Sequence, residues 1–327
     1  MGNLFSQYFP PKPIFTDKEC PDLTGKVYIA TGSNTGVGKE LAQILYAKNA
    51  KVYIAARSQY KAEAAIESII AAHPKSTGTL AFLHLDLSDL STIKASAQEF
   101  LSQETKLHVL FNNAAVMCPP VGTKTLQGLE MAMGVNCVGP QLFTSLLTPI
   151  LIETAKVEPP NTVRVVWVAS MGAEVGSYTP GGVDLNNLNL LDNKIADGMH
   201  RYARTKAGNY LQGAEYAKRM REHGIMSVPL NPGHLKSDLY RAHGSLFKAV
   251  LSALLLYPPV YGAYTELFAG LSPDVTLEAT GEWVVCWGRF APIRKDLIEA
   301  SKSEKEGGSG VARKFWEWNE EQIKAFL

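Results

Sequence analysis

The segment Thr31-Gly-Ser-Asn-Thr-Gly-Val-Gly38 follows the apolar run Val27-Tyr-Ile-Ala30 without a break, and a helical pattern from Lys39 to Lys48 comes directly after it. A buried strand that passes through glycines straight into a helix limits the chain to few architectures. Glycine permits the tight turn and lets another molecule come close to the backbone. The helix N-terminus beyond it offers unpaired N–H groups and the positive end of a dipole to an anion. Gly32, Gly36 and Gly38 follow the spacing G-x-x-x-G-x-G rather than the G-x-G-x-x-G of many dehydrogenases. Their position predicts a pyrophosphate site, where glycines elsewhere would mean only a turn of small residues.

The rest of the chain repeats this alternation. Further strands are expected at 51–56, 80–85, 109–112, 163–169, 226–230 and 282–286, with helices at 61–72, 91–104 and 126–152 and another that carries Tyr202 and Lys206. The series predicts an α/β fold, a doubly wound, Rossmann-like parallel sheet of about seven strands in a single domain. The run Val163-Arg-Val-Val-Trp-Val-Ala169 is apolar almost throughout, as an interior parallel strand should be. Pro229 suits a central strand poorly and points to a bulge. Residues 1–22, with Pro10, Pro11, Pro13 and Pro21, read as an extended arm. Residues 23–290 form the nucleotide-binding domain, with a lid at 234–261. Residues 291–327 read as a C-terminal extension whose terminal helix presents Phe315, Trp316, Ile323 and Phe326.

Composition narrows the function classes. The net charge of +1 over 327 residues leaves no electrostatic footprint for nucleic acid. Cys20, Cys118, Cys137 and Cys286 are far apart and form no C-x-x-C, so neither a metal site nor a disulfide framework is expected, and a reducing, cytoplasmic setting fits better. No apolar run reaches the roughly 18 residues of a membrane span, and the start lacks the cationic and apolar regions of a secretory signal. Met1-Gly2-Asn3-Leu4-Phe5-Ser6 does fit the pattern for N-myristoylation at Gly2. One acyl chain would give weak peripheral membrane association; the plain alternative is an unmodified start that contains Gly and Ser.

Tyr202 and Lys206 stand four residues apart in Arg201-Tyr-Ala-Arg-Thr-Lys206, on one helix face. An ammonium beside a phenol favours the phenolate and makes the tyrosine a proton donor and acceptor closer to neutrality. A shift of three units needs roughly 4 kcal/mol, about what a unit charge at 4 Å supplies at an effective dielectric of 20. A lone Y-x-x-x-K would read as a solvated helix face; after the glycine turn it reads as nucleotide-dependent redox chemistry. The second strand ends in Ala56-Arg57, where an acidic side chain would bind an adenosine ribose diol. A guanidinium there suits a 2′-phosphate, which favours NADP(H) over NAD(H). Lys61 reads equally as a helper or as a surface lysine.

Together Thr31-Gly-Ser-Asn-Thr-Gly-Val-Gly38, Asp86-Leu87, Asn112-Asn-Ala-Ala115, Asn136, Ser170, Tyr202-x-x-x-Lys206 and Asn231-Pro-Gly233 resemble the short-chain dehydrogenase/reductase family over residues 23–290. The long stretch between Ser170 and Tyr202, with Val183-Asp-Leu-Asn-Asn-Leu-Asn189, is similar to the retinol-dehydrogenase-like branch. The resemblance implies a catalytic set of Asn136, Ser170, Tyr202 and Lys206. Tyr202 would protonate the substrate oxygen, Lys206 would lower its pKa and hold the nicotinamide ribose, and Ser170 would donate to the substrate oxygen. Asn136 would hold a water that links Lys206 to solvent. Pro140 has no N–H to offer the Asn136 carbonyl, which should leave that carbonyl free for the water.

The same resemblance places Gly32, Asn34, Thr35, Gly36 and Val37 on the cofactor, with Asp86 and Leu87 at the adenine and Asn112 and Ala114 along the adenosine. Pro232, Gly233, Leu235 and Ser237 would meet the carboxamide and phosphates. Thr205 stands where serine is usual, and Asn231 where related chains often differ. Phe247, Val250, Leu251, Leu254 and Leu255 suggest a lid for a lipophilic carbonyl or alcohol substrate; a helix packed on the domain and a lipid-facing patch are the other readings. The expected activity is NADPH-dependent carbonyl reduction or the reverse alcohol oxidation. A non-catalytic dinucleotide sensor and an NAD-preferring dehydrogenase compete with it. The oligomeric state is open, with a homo-oligomer as one reading.

Overall fold

Interior parallel strands are covered on both faces, so they form where apolar and β-branched residues run together. A computed structural model describes residues 2–190, 197–236 and 256–327. Its first half runs α1 (Gly2–Tyr8), β1 (Val27–Thr31), α2 (Gly36–Ala47), β2 (Lys51–Ala56), α3 (Gln59–Ala72), β3 (Thr79–His84), α4 (Leu90–Gln103) and β4 (Val109–Asn112). The second half runs α5 (Met131–Val157), β5 (Arg164–Val168), α6 (Gly172–Val175), α7 (Gly198–Met220), β6 (Met226–Leu230), α8 (Pro259–Leu271), β7 (Val284–Val285), β8 (Arg289–Phe290), α9 (Lys295–Ser301) and α10 (Val311–Ile323).

The sheet order is β3-β2-β1-β4-β5-β6-β7-β8, parallel except for the final β7–β8 pair. The winding direction reverses between β1 and β4, where open α/β sheets leave a crevice at the carboxyl ends of their strands. Alternate residues of each strand feed two cores. Ile29, Tyr53, Leu110, Val165 and Trp167 face one core with α4, α5, α7 and α10. Tyr28, Val52, Ile54, Phe111, Val166 and Val168 face the other with α2 and α8. Arg164 opens β5 as a buried guanidinium. It donates to the carbonyls of Asn161, Ala269 and Ser272 and so ties the C-terminal end of α8 to the sheet.

Several expectations need correction. The arm is not extended throughout: Gly2–Tyr8 is helical, because the prolines begin only at Pro10. The long helix starts at Met131 rather than near residue 126. Residues 124–130 form a tight hairpin, with Lys124 paired to Glu130 and Thr125 N–H donating to the Leu129 carbonyl at 2.8 Å. Glu130 then caps the helix by accepting from Met133 N–H.

Pro229 makes no bulge; β6 keeps continuous register from Met226 to Leu230 against β5. Ser227 and Asn231 send their N–H groups away from β5, to Thr280 and to the Val284 carbonyl. Pro229, midway between them, would point its missing N–H the same way. There β7 has only two residues, so no ladder bond is lost. The last expected strand, 282–286, shrinks to Val284–Val285, and the chain folds back at Gly288 into an eighth strand.

Candidate active site

The glycine turn closes on the end of β4. Gly32 and Gly36 adopt φ of +67° and +58°, a region that penalises side chains. A Cβ on Gly32 would lie 2.9 Å from Ala114 Cα, and one on Gly38 would lie 2.6 Å from Asn113 Nδ2. Thr31 locks the two segments together: its hydroxyl accepts from the N–H groups of Asn113 (3.0 Å) and Ala114 (2.9 Å). Beside them lies a cleft of ≈ 810 Å³ lined by Gly32, Asn34, Thr35, Gly36, Val37, Arg57, Asn113 and Ala114. Lys61 also borders it. Arg57 is exposed there, and no ion pair engages it among the described residues.

Three expected cofactor residues are placed differently from this cleft. Asn112 is buried and sends its side-chain amide to Thr144 Oγ1 at 2.9 Å, so it braces α5, and its neighbour Asn113 faces the cleft instead. Leu87 is buried against Gly139, where a Cβ would come within 2.8 Å of the Leu87 carbonyl. Asp86 holds its own turn by accepting from Ser88 N–H and Ser88 Oγ.

The catalytic candidates meet at the carboxyl end of β5. Ser170 follows that strand, and its Oγ accepts from Gly172 N–H at 3.0 Å. Gly172 packs against Ala203, the residue after Tyr202, with a Cβ position 3.6 Å from Ala203 Cα. Lys206 reaches back to the same strand end: Nζ donates to the Val168 carbonyl at 2.6 Å and sits 5.7 Å from the centre of the Tyr202 ring. Tyr202 and Lys206 are both buried. Burial pushes the Lys206 ammonium down to about 8, against weaker pulls upward from Cys137 and Glu266. It therefore still carries its charge at neutral pH. Glu266 is itself buried, and that burial pushes its carboxyl up to about 8 against a weaker downward pull from Lys206.

Asn136 lies on a π turn, Gly134–Val138, inside α5. Its side chain bridges two segments, accepting from Val116 N–H (2.8 Å) and donating to the Val116 carbonyl (3.0 Å) and Thr205 Oγ1 (2.9 Å). Thr205, in the place of the usual serine, passes this contact on to the Tyr202 carbonyl. The expectation of a free Asn136 carbonyl is overturned. Pro140 does remove its helical donor, but Asn209 Nδ2 takes the position at 2.6 Å, and Asn209 Oδ1 accepts from Lys206 Nζ at 3.2 Å. One carboxamide thus stands between carbonyl and ammonium. One turn on, Gln212 Nε2 donates to the Cys137 carbonyl at 3.0 Å. Nothing in the local sequence marks either amide; they are legible only once the Asn136 and Cys137 carbonyls are seen to face α7.

After β6, Asn231 is buried and Pro232 and Gly233 are partly open. Gly233 has φ +96°, and a Cβ there would come within 2.6 Å of Trp287. Leu235 packs beside Val37 of the glycine turn, both against Gly262. Ser237 and the expected lid residues Phe247, Val250, Leu251, Leu254 and Leu255 lie outside the described residues.

The model of the short chain dehydrogenase family matches residues 26–180. A short-chain dehydrogenase/reductase of Neocamarosporium betae is 51% identical over 330 residues, covering 100% of this chain and 94% of that protein. Among solved structures, a protein from Mycobacterium paratuberculosis is similar at a TM-score of 0.67 and 25% identity, covering 95% of this chain and 97% of the other. The RhlG/NADP active-site complex of Pseudomonas aeruginosa shares the fold at a TM-score of 0.62 and 22% identity, with coverage of 84% and 97%. By sequence over its whole length and by fold, the chain belongs to the short-chain dehydrogenase/reductase family.

Proposed function

We propose that the protein is an NADPH-dependent carbonyl reductase, running in reverse as an alcohol dehydrogenase, for a lipophilic small molecule. The observation that carries this reading is the buried Tyr202–Lys206 pair beside Ser170, on the same sheet edge as the glycine cleft. A binding protein without chemistry has no need of a tyrosine set beside a desolvated ammonium. The preference for NADPH is supported by Arg57, which borders the cleft where no carboxylate ends β2. The apolar sequence between Leu235 and Tyr257 supports a lipophilic substrate.

The cleft residues fit a dinucleotide. Side chains at Gly32 and Gly38 would strike their neighbours, so the backbone is bare where α2 begins. Gly36 and Val37 would hold the pyrophosphate, Arg57 the 2′-phosphate, and Lys206 a ribose hydroxyl. When bound, the nicotinamide supplies or accepts hydride. The chain's own residues handle the substrate oxygen. Ser170 and Tyr202 hold it by hydrogen bonds, and Tyr202 gives it a proton as negative charge develops. Lys206 has three N–H donors, of which Val168 and Asn209 take two. The third is left for the phenol and ribose side.

Tyr202→Phe should abolish reduction of ketones and aldehydes while NADPH still binds, read by loss of nicotinamide absorbance and by fluorescence titration. Retained turnover would refute the assignment. Arg57→Ala should weaken NADPH about tenfold or more and leave NADH nearly unchanged, on the scale of one charge-assisted bond; equal losses would remove the case for NADPH.

A further inference from the structure

Gln7 is buried at the end of a helix too short to be stable alone, so its contacts must order it. They form a directional chain. Gly233 N–H donates to Asn231 Oδ1 at 3.0 Å, which fixes the orientation of the Asn231 amide. Asn231 Nδ2 then donates to Gln7 Oε1 at 2.7 Å, and Gln7 Nε2 donates to Glu174 Oε1 at 2.8 Å. Glu174 also accepts from Trp283 Nε1 at 3.2 Å. The residue between Asn231 and Glu174 must accept on one side and donate on the other. A carboxamide does both, whereas a carboxylate cannot donate and an ammonium cannot accept.

The backbone of α1 is fixed as well. Its last carbonyls, at Ser6 and Gln7, accept from Arg289 and from Cys286 Sγ at 3.0 and 3.3 Å. The Tyr8 ring stacks on His234 with centroids 4.8 Å apart. These contacts reach both flanks of the reacting centre: the Asn231–His234 turn on one side and, through Glu174 four residues beyond Ser170, the serine turn on the other.

We propose that Gln7 is a positioning residue that holds the Asn231–Gly233 turn against the nicotinamide half of the cofactor, so that α1 is a fixed part of the active-site wall. This rests on the functional reading above. It assigns a role to Asn231 and to a segment whose sequence suggests only an arm or a lipidation signal.

The test is Gln7→Met in the full chain, a change of similar volume that removes both amide bonds. NADP⁺ should bind about tenfold more weakly. The fragment 2′,5′-ADP, which lacks the nicotinamide half, should bind within about twofold of wild type, and kcat for carbonyl reduction should fall. Asn231→Ala should reproduce this pattern, and the loss in the double variant should fall short of the sum of the two single losses, because the singles share the Asn231–Gln7 bond. Wild-type NADP⁺ affinity and kcat in both single variants would overturn the proposal. So would an equal loss of 2′,5′-ADP, which would mark general loosening. Failure of the wild type itself to bind a nicotinamide dinucleotide would instead overturn the functional reading, and this inference with it.

Discussion

Lys206 is charged in a place that disfavours charge, and Asn209 is the side chain that both steadies it and occupies the neighbouring carbonyl. With its pKa pushed down to about 8, the ammonium is nearly complete well below that pH, half lost at it and lost above it. The proposed reduction would use the acid form of the pair, so kcat/KM, which reports the free enzyme, should fall as pH rises through about 8. Asn209→Asp puts a carboxylate against Nζ, favours the charged form and should move that alkaline limb upward. The same change removes the donor to the Asn136 carbonyl, so kcat should drop, by up to about 10²-fold if the ammonium shifts by an ångström. A limb that stays in place would assign it to a group other than Lys206.

At the level of elements, Arg164 joins β5 to the end of α8 through carbonyls alone. Arg164→Met fills the space but leaves those carbonyls without their donor, at about 1–3 kcal/mol for each one left unsatisfied. A lower urea midpoint is expected, with KM values for folded enzyme unchanged because the change is at the amino end of the strand; an unaltered midpoint would show that solvent replaces the guanidinium. Strands 51–56, 109–112 and 226–230 were legible to the residue because interior parallel strands are apolar runs with polar or glycine borders. Pro229 misled because its cost depends on the length of the neighbouring strand, which is a tertiary fact. The hairpin before Met131 hid behind a continuing apolar pattern; Leu126 belongs to that pattern yet is 78% exposed. The residues of the proposed catalytic set could be picked out by type and spacing. The partners Asn209, Gln212 and Gln7 could not, since each answers a group made available elsewhere in the fold.

Across the whole molecule, α10 closes over α7, the helix with Tyr202 and Lys206. Phe315 lies against Gly208, where an added Cβ would meet its ring and Cys137 Sγ at 3.0 Å, and Gln141 Nε2 donates to the Trp316 carbonyl at 3.2 Å. Phe315→Ala should cost about 3–5 kcal/mol, the usual loss for a buried aromatic, seen as a lower thermal midpoint that saturating cofactor partly restores. No change in midpoint would mean that α10 is a passive cover.

This closure also orders events during synthesis. Phe315 is made on the order of a hundred residues after Tyr202, so at ~5–20 residues per second the ribosome leaves the outer face of α7 bare for about 5–20 s. Chaperone occupancy of the nascent chain should therefore rise once α7 has been made and fall when α10 docks on it.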